Sequence, residues 1–233
     1  MNILVTGAKG FVGRNLVENL KNIRDGKNRI RPNIIIHNIY EFDKDNSLEE
    51  LDRYCRACNF VFNLAGVNRP KDDSEFQEGN INFAQILLDK LKEYNNKSTI
   101  MLSSSIQASL CGRFADSEYG RTKKEAEELF FKYSQETGAK VLIYRFPNVV
   151  GKWIKPNYNS AVGTFCHNIA NELPVTVNDP NIELELLFID DLINEMFDAL
   201  EGKEHRCEYI GLETVFCKNG KYCAVPVTHK ATL

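Results

Sequence analysis

Apolar residues along the first 151 positions alternate between short continuous runs and longer segments with helical spacing. The short runs predict buried strands at 3–6, 33–37, 60–64, 99–102 and 141–146. Apolar residues three and four positions apart predict helices at 10–23, 47–58, 80–94 and 118–137. This alternation predicts an α/β fold, a Rossmann-like doubly wound parallel sheet with helices on both faces.

After residue 151 the pattern becomes mixed, with a loop rich in Asn and Pro. Here we expect a helix at 161–171, short strands near 175 and at 184–188, and a helix at 190–200. We therefore predict a dinucleotide-binding core at residues 1–151. Residues 152–233 are expected to form a smaller substrate-binding lobe, interleaved with the core.

Composition limits the functional classes. The chain has 233 residues, of which 43% are hydrophobic and 26% charged, with a net charge of −3. Without a basic run it is not expected to bind nucleic acid, and no apolar stretch approaches the roughly 18 residues of a membrane span. With no signal-like segment at its start, we expect a cytoplasmic protein.

The seven cysteines are odd in number and scattered, which favours reduced thiols. Cys55 and Cys58 form a Cys-x-x-Cys pair, for which packing on a helix is favoured over a metal or redox site. The four histidines have no ligand spacing. The sequence therefore predicts no metal site.

Three glycines follow the first strand at the spacing Gly-x-x-Gly-x-x-Gly. Gly7 suits a sharp turn, Gly10 lets backbone approach a ligand, and Gly13 lets the helix pack on the strand. The free N–H groups of that helix then favour an anion, here a dinucleotide pyrophosphate, although such a turn can also bind nothing. The predicted cofactor-binding residues are Gly7, Gly10, Phe11, Val12, Gly13, Arg14, His37, Leu64, Ala65, Gly66, Tyr119, Lys123 and Phe146.

The end of the predicted second strand bears on the choice of cofactor. An acidic residue there binds the ribose 2′-hydroxyl of NAD, whereas a basic group accepts the 2′-phosphate of NADP. The strand at 33–37 ends in His37 and Asn38 and has no carboxylate. The sequence therefore favours NADP(H), with His37, Lys9 and Arg14 nearest the phosphate, while NAD(H) stays possible.

Tyr119 and Lys123 are four residues apart on a predicted helix, so their side chains share one face. A neighbouring ammonium is expected to lower the pKa of the phenol toward the working pH, which suits Tyr119 to proton exchange with a substrate oxygen. Ser105 follows a buried strand and can donate to the same oxygen. We predict Ser105, Tyr119 and Lys123 as catalytic residues, with Ser104 as the alternative serine.

The glycine turn, the serine and Tyr-x-x-x-Lys, in this order, resemble the extended short-chain dehydrogenases/reductases of the nucleotide-sugar type. Segments 64–70, 103–108, 151–160 and 226–230 closely resemble the CapF family of capsular polysaccharide enzymes. The resemblance implies an NADPH-dependent reductase of the 4-keto group of a UDP-linked 2-acetamido-2,6-dideoxy-hexos-4-ulose, toward UDP-N-acetyl-L-fucosamine. Members carry a following cupin domain, so it also implies that this chain is the reductase half.

The same resemblance implies substrate contacts and an assembly. Asn148 is expected to face the UDP-sugar, and Arg69, Lys152 and Lys155 are candidates for its diphosphate. The predicted substrate-binding residues are Asn68, Arg69, Ser104, Asn148 and Lys152. Superfamily relatives pair through two helices, so we expect a homodimer to which the helix bearing Tyr119 contributes.

One related reaction is disfavoured and three alternatives stay open. Dehydratases of the superfamily carry an Asp-Glu pair after the catalytic serine or threonine, where this chain has Ile106 and Gln107, so dehydration is disfavoured. An NAD-dependent 4-epimerase needs the same Ser, Tyr and Lys. A non-catalytic NADP-sensing module and an inactive fragment are the remaining alternatives.

Overall fold

The computed structural model describes residues 1–68, 72, 76–177, 179–204, 222–223 and 229–232. Its main sheet has six parallel strands in the order β2-β1-β3-β4-β5-β8. These strands are β1 Asn2–Thr6, β2 Asn38–Phe42, β3 Phe60–Asn63, β4 Thr99–Ser105, β5 Val141–Phe146 and β8 Tyr222–Cys223. From β1 the chain first adds β2 on one side of the sheet and then β3, β4 and β5 on the other, so the strand order switches between β1 and β3. Parallel sheets bind ligands at such a switch point, outside the carboxyl ends of the strands.

A second sheet is built from residues after the main core strands. Parallel strands β6 (Asn148–Val150) and β7 (Glu183–Phe188) are joined by antiparallel β9 (His229–Thr232). The α-helices are α1 Phe11–Arg24, α2 Leu48–Ala57, α3 Phe83–Glu93, α4 Glu118–Thr137, α5 Ala161–Ala170 and α6 Ile189–Leu200, and a π-helix at Gln77–Asn82 runs directly into α3. The predicted Rossmann-like fold is confirmed.

The main sheet is buried on both faces. Side chains alternate along β1, so Ile3 and Val5 join one apolar cluster with α1 and α6, and Leu4 joins the other with α2, α3 and α4. Full burial of each such side chain stabilises the fold by about 1.5–3 kcal/mol. Helix α6 packs in the same cluster as α1, so this helix contributes to the core of the main sheet.

The predicted strand at 33–37 is wrong, because β2 begins at residue 38. Pairing with β1 runs from Asn2 opposite Asn38 to Thr6 opposite Phe42. Ile34 and Ile36 are buried, but they pack against the α1 and α6 cluster without entering the sheet. An apolar run shows burial, and only the neighbouring strand determines register.

A second prediction is also wrong: residues 173–177, around the expected strand near 175, form exposed irregular backbone. Two local predictions are confirmed. Ser47 and Glu50 form a capping box at the start of α2. Cys55 and Cys58 are buried free thiols, and burial raises the pKa of Cys58 to about 11.

The described helices give no sign of membrane insertion, since none combines the length and the apolar character that a bilayer span requires.

Candidate active site

The glycine turn joins β1 to α1 at a point where side chains would not fit. Gly7 has φ +66°, and a Cβ there would lie 2.8 Å from the backbone of Leu64 and Ala65. A Cβ on Gly13 would lie 2.1 Å from the Gly7 carbonyl oxygen. Because both residues lack a side chain, β1, the end of β3 and the first turn of α1 can pack in direct contact.

The start of α1 is open to a ligand. Serine hydroxyls cap α2 and α4, whereas Gly10 at the start of α1 provides no side-chain cap. Backbone N–H groups without such a cap, reinforced by the helix dipole, favour an anion. The glycine cradle and this helix end fit the pyrophosphate of a dinucleotide.

A cavity of about 410 Å³ begins at this turn and follows the carboxyl ends of the strands. Both the glycines of the turn and the predicted catalytic residues Ser105, Tyr119 and Lys123 line it. The predicted binding residues that line it are Gly7, Gly10, Phe11, Val12, Gly13, Leu64, Gly66, Asn68, Ser104, Phe146 and Asn148. Lys155 lines it too, as does Arg113, which the sequence did not single out.

Ser105, Tyr119 and Lys123 come together in this cavity. Ser105 and Tyr119 both line the cavity, and the Ser105 hydroxyl interacts with the Tyr119 hydroxyl. Lys123 is buried, with Nζ 5.7 Å from the centre of the Tyr119 ring and donating to the Ser103 carbonyl oxygen at 3.1 Å. The structure thus groups all three side chains predicted to be catalytic.

The protonation states differ from the simplest expectation. Burial raises the pKa of Tyr119 to about 12, although its hydrogen bond to Ser105 acts in the opposite direction. Burial lowers the pKa of Lys123 to about 8, and the nearby Glu127 carboxylate opposes that change. The predicted lowering of the pKa of Tyr119 is therefore not found, because desolvation of the phenolate dominates. A phenol that keeps its proton at neutral pH suits donation to a carbonyl.

The three serines at the end of β4 serve different partners. Ser103 donates its hydroxyl to the Asn63 carbonyl oxygen at 3.1 Å, and Ser104 donates to Glu127. Glu127 is buried and forms a bidentate pair with Arg145, at 2.8 and 2.6 Å. The Ser104 hydroxyl is thus engaged inside the protein, which argues against its predicted role in substrate binding.

Asn80 is a positioning residue that the sequence analysis missed. Its side-chain amide pairs with the backbone N–H and C=O of Val67, both at 3.0 Å, and donates to the Thr122 hydroxyl at 3.3 Å. Asn80 thereby ties the loop after β3 to α4. The sequence gives one indication of this role, namely that Asn80 is a polar residue at the start of a helix whose other inward positions are apolar.

The end of β2 corrects the prediction about the ribose site. His37 precedes β2 and donates its backbone N–H to the Met1 carbonyl oxygen, so it lies at the opposite edge of the sheet from the cavity. Asp43 follows β2 directly, and its carboxylate accepts the backbone N–H of Lys9 at 2.8 Å. The Lys9 ammonium pairs with Asp45. The second strand is therefore followed by a carboxylate, at the position where the sequence predicted His37 and Asn38.

Other predicted residues lie beside the cavity or outside the described residues. The Arg14 guanidinium and the Lys152 ammonium lie 4.2 and 4.1 Å from the centre of the Trp153 ring, and neither lines the cavity. The backbone N–H of Ala65 donates to the Thr6 hydroxyl. Arg69 lies outside the described residues.

Residues 3–209 match the model of the NAD dependent epimerase/dehydratase family. The chain is 39% identical over 203 residues to a Pseudomonas aeruginosa protein named UDP-2-acetamido-2,6-beta-L-arabino-hexul-4-ose reductase. That match covers 87% of this chain and 50% of the relative, so the chain spans about half of that protein's length.

Solved structures that are similar to this chain include a capsule-related protein and a nucleotide-sugar epimerase. The capsular polysaccharide assembling protein CapF from Staphylococcus aureus is 40% identical, with a TM-score of 0.79, over 100% of this chain and 56% of that one. A UDP-glucuronic acid 4-epimerase from Bacillus cereus, solved in complex with NAD, is 21% identical with a TM-score of 0.76, over 100% of this chain and 80% of that one. At that identity the second structure shows the shared fold alone.

Proposed function

This chain belongs to the NAD dependent epimerase/dehydratase family, and from that premise we propose that it reduces the 4-keto group of a UDP-linked 2-acetamido-2,6-dideoxy-hexos-4-ulose. The name of the Pseudomonas relative supports this reaction. The likeness to CapF supports a role in making precursors of capsular or surface polysaccharide, toward UDP-N-acetyl-L-fucosamine.

The observation that carries the proposal is the grouping of Ser105, Tyr119 and Lys123 in the wall of the cavity that begins at the glycine turn. A bound nicotinamide dinucleotide supplies the hydride. The Tyr119 hydroxyl donates a proton to the carbonyl oxygen, which the Ser105 hydroxyl orients. The Lys123 ammonium stabilises the phenolate that remains on Tyr119.

A 4-epimerase is the second candidate, because it needs the same Ser105, Tyr119 and Lys123 group. The 39% identity to a protein named as a 4-ulose reductase favours reduction. A non-catalytic sensing module has no need of the buried Lys123 beside Ser105 and Tyr119.

The nicotinamide cofactor of the proposed reaction is NAD(H) rather than the NADP(H) that the sequence favoured. The earlier preference depended on the absence of a carboxylate after the second strand, and Asp43 stands in that position. A carboxylate accepts ribose hydroxyls and repels a 2′-phosphate. Lys9 does not offset this effect, since its ammonium is paired with Asp45.

The proposal is tested by mixing the purified chain with a 4-keto-6-deoxy UDP-sugar and each reduced dinucleotide, following absorbance of the dinucleotide. We expect oxidation of the dinucleotide with wild type. In the Tyr119→Phe variant turnover should fall by about 10²–10⁴-fold, the usual contribution of general acid catalysis, with the Kd of the dinucleotide unchanged. Full activity of that variant would refute the assignment of Tyr119.

The expected homodimer remains part of the proposal. Its proposed surface is formed by α3 and α4, and the exposed side chain of Ile86 on α3 supports an apolar contact there. Light scattering on the purified chain should give the mass of two chains. The mass of one chain at micromolar concentration would refute it.

A further inference from the structure

Gln107 occupies a position in the cavity to which the proposed reaction gives no role. It lies in the 3₁₀ turn Ile106–Ser109, directly after β4, and lines the same cavity as Ser105 and Tyr119. Its backbone N–H donates to the Ser105 hydroxyl oxygen at 3.2 Å. A Cβ on Gly120 would lie 2.4 Å from its carbonyl oxygen, so the turn packs tightly on α4. Gln107 is thus held between the elements that carry Ser105 and Tyr119.

Ser117 determines how the Gln107 amide is oriented. The Ser117 hydroxyl oxygen accepts the Gly120 N–H at 2.9 Å as the cap of α4, and its proton is donated to Gln107 Oε1 at 2.7 Å. A hydroxyl proton is accepted by the oxygen of a carboxamide and not by its NH₂ group. The NH₂ group therefore lies on the side away from Ser117 and offers two donors to a ligand.

We propose that Gln107 is a specificity-determining residue whose NH₂ group donates to the oxygen on carbon 3 of the keto-sugar. This inference rests on the proposed function. In a 6-deoxy-hexos-4-ulose, the carbons beside the carbonyl are carbon 3, which bears an exocyclic oxygen, and carbon 5, which bears a methyl group. The Gln107 backbone N–H is bonded to the Ser105 hydroxyl, so Gln107 lies beside the group proposed to hold the carbonyl oxygen. An NH₂ donor there matches the oxygen on carbon 3 and has no partner in the methyl group on carbon 5.

The amide contributes binding and orientation and transfers no proton. A site built to hydrogen-bond a substrate oxygen rejects an analogue without it, because the polar group of the site then loses its partner. Gln107 therefore selects sugars that keep an oxygen at carbon 3.

The test compares a UDP-linked 4-keto-6-deoxy sugar with its 3-deoxy analogue, for wild type and for Gln107→Met and Gln107→Glu. Wild type should prefer the sugar with the carbon 3 oxygen by about tenfold or more in kcat/KM. Both variants should lose that preference through a rise in KM of about tenfold, with kcat changed little. The carboxylate of the Gln107→Glu variant still accepts the Ser117 hydroxyl proton but has no N–H group. This variant therefore separates loss of the NH₂ donor from loss of the side chain's packing.

Ser109→Ala, in the same 3₁₀ turn and outside the cavity wall, is the matched control and should keep the wild-type preference. A Gln107→Met enzyme that still prefers the carbon 3 oxygen overturns the inference. So does a weakened Kd of the dinucleotide in both Gln107 variants, which marks a structural role. Wild type without turnover of any keto-sugar overturns the proposed function, and this inference with it.

Discussion

Lys123 is proposed to carry the positive charge that stabilises Tyr119 during reduction, and Glu127, one helical turn further, helps determine the pH at which that charge is lost. Burial brings the pKa of Lys123 to about 8, and the Glu127 carboxylate keeps it from falling further. The ammonium is therefore present below pH 8 and is lost above it. Since the ammonium stabilises the phenolate formed in reduction, activity should depend on the same change.

We expect kcat/KM for reduction to be level near pH 6–7 and to fall through an apparent pKa near 8. In Glu127→Gln the midpoint should move to lower pH by about one unit. Glu128→Gln, an exposed neighbour on α4, should leave the profile unchanged. A pH profile that is level to pH 10 in wild type would contradict this role of Lys123.

Asp43 is the residue at which the choice of cofactor is expected to be made. Asp43→Asn removes the charge that opposes a 2′-phosphate, so the ratio of kcat/KM for NADPH to that for NADH should rise by about tenfold or more. Titration of both dinucleotides with wild type and the variant measures this. An unchanged ratio would place the discrimination elsewhere. Glu49→Gln, exposed in the first turn of α2, is the matched control.

At the scale of elements, the position of the site depends on how closely α1 approaches β1 and β3. A Cβ on Gly13 would lie 2.1 Å from the Gly7 carbonyl oxygen, whereas one on Gly10 would lie 3.1 Å from the same atom. The two glycines therefore differ, since Gly13 is required for packing and Gly10 leaves room for a ligand.

We expect Gly13→Ala to lower the free energy of unfolding by about 1–3 kcal/mol through overpacking. Gly10→Ala should change stability by less than about 1 kcal/mol while weakening dinucleotide binding, because Gly10 lines the cavity and an added methyl group takes up space beside it. Urea unfolding and a dinucleotide titration separate the two effects. Equal losses of stability in both variants would contradict this division.

At the scale of the whole molecule, the cavity connects β1, β3, β4 and β5 with α1 and α4, so a ligand there contacts most of the fold. A dinucleotide at 100 times its Kd should stabilise the native state by about 2.7 kcal/mol. For a chain of this size the Tm should rise by about 5–10 °C. Thermal unfolding with and without the dinucleotide measures the shift, and a Tm that does not respond would contradict the assigned binding site.

Local chemistry made much of the fold predictable. The glycine spacing, the Ser47 capping box and the helical spacing of Tyr119 and Lys123 depend on residues close in sequence, and the structure contains each of these features. The apolar run at 33–37 does not form the strand that its pattern predicts, because periodicity reports burial and a strand needs a partner. That error moved the expected ribose contact from Asp43 to His37.

The sequence by itself determined the alternation of strands and helices up to residue 146, the turn at Gly7 and the face shared by Tyr119 and Lys123, since each follows from backbone preferences and side-chain period. Only the tertiary structure decided which serine meets Tyr119, which residue ends β2 and which protonation states burial favours. These depend on strand register and desolvation, and both arise from groups that are distant in sequence and adjacent only in the folded chain.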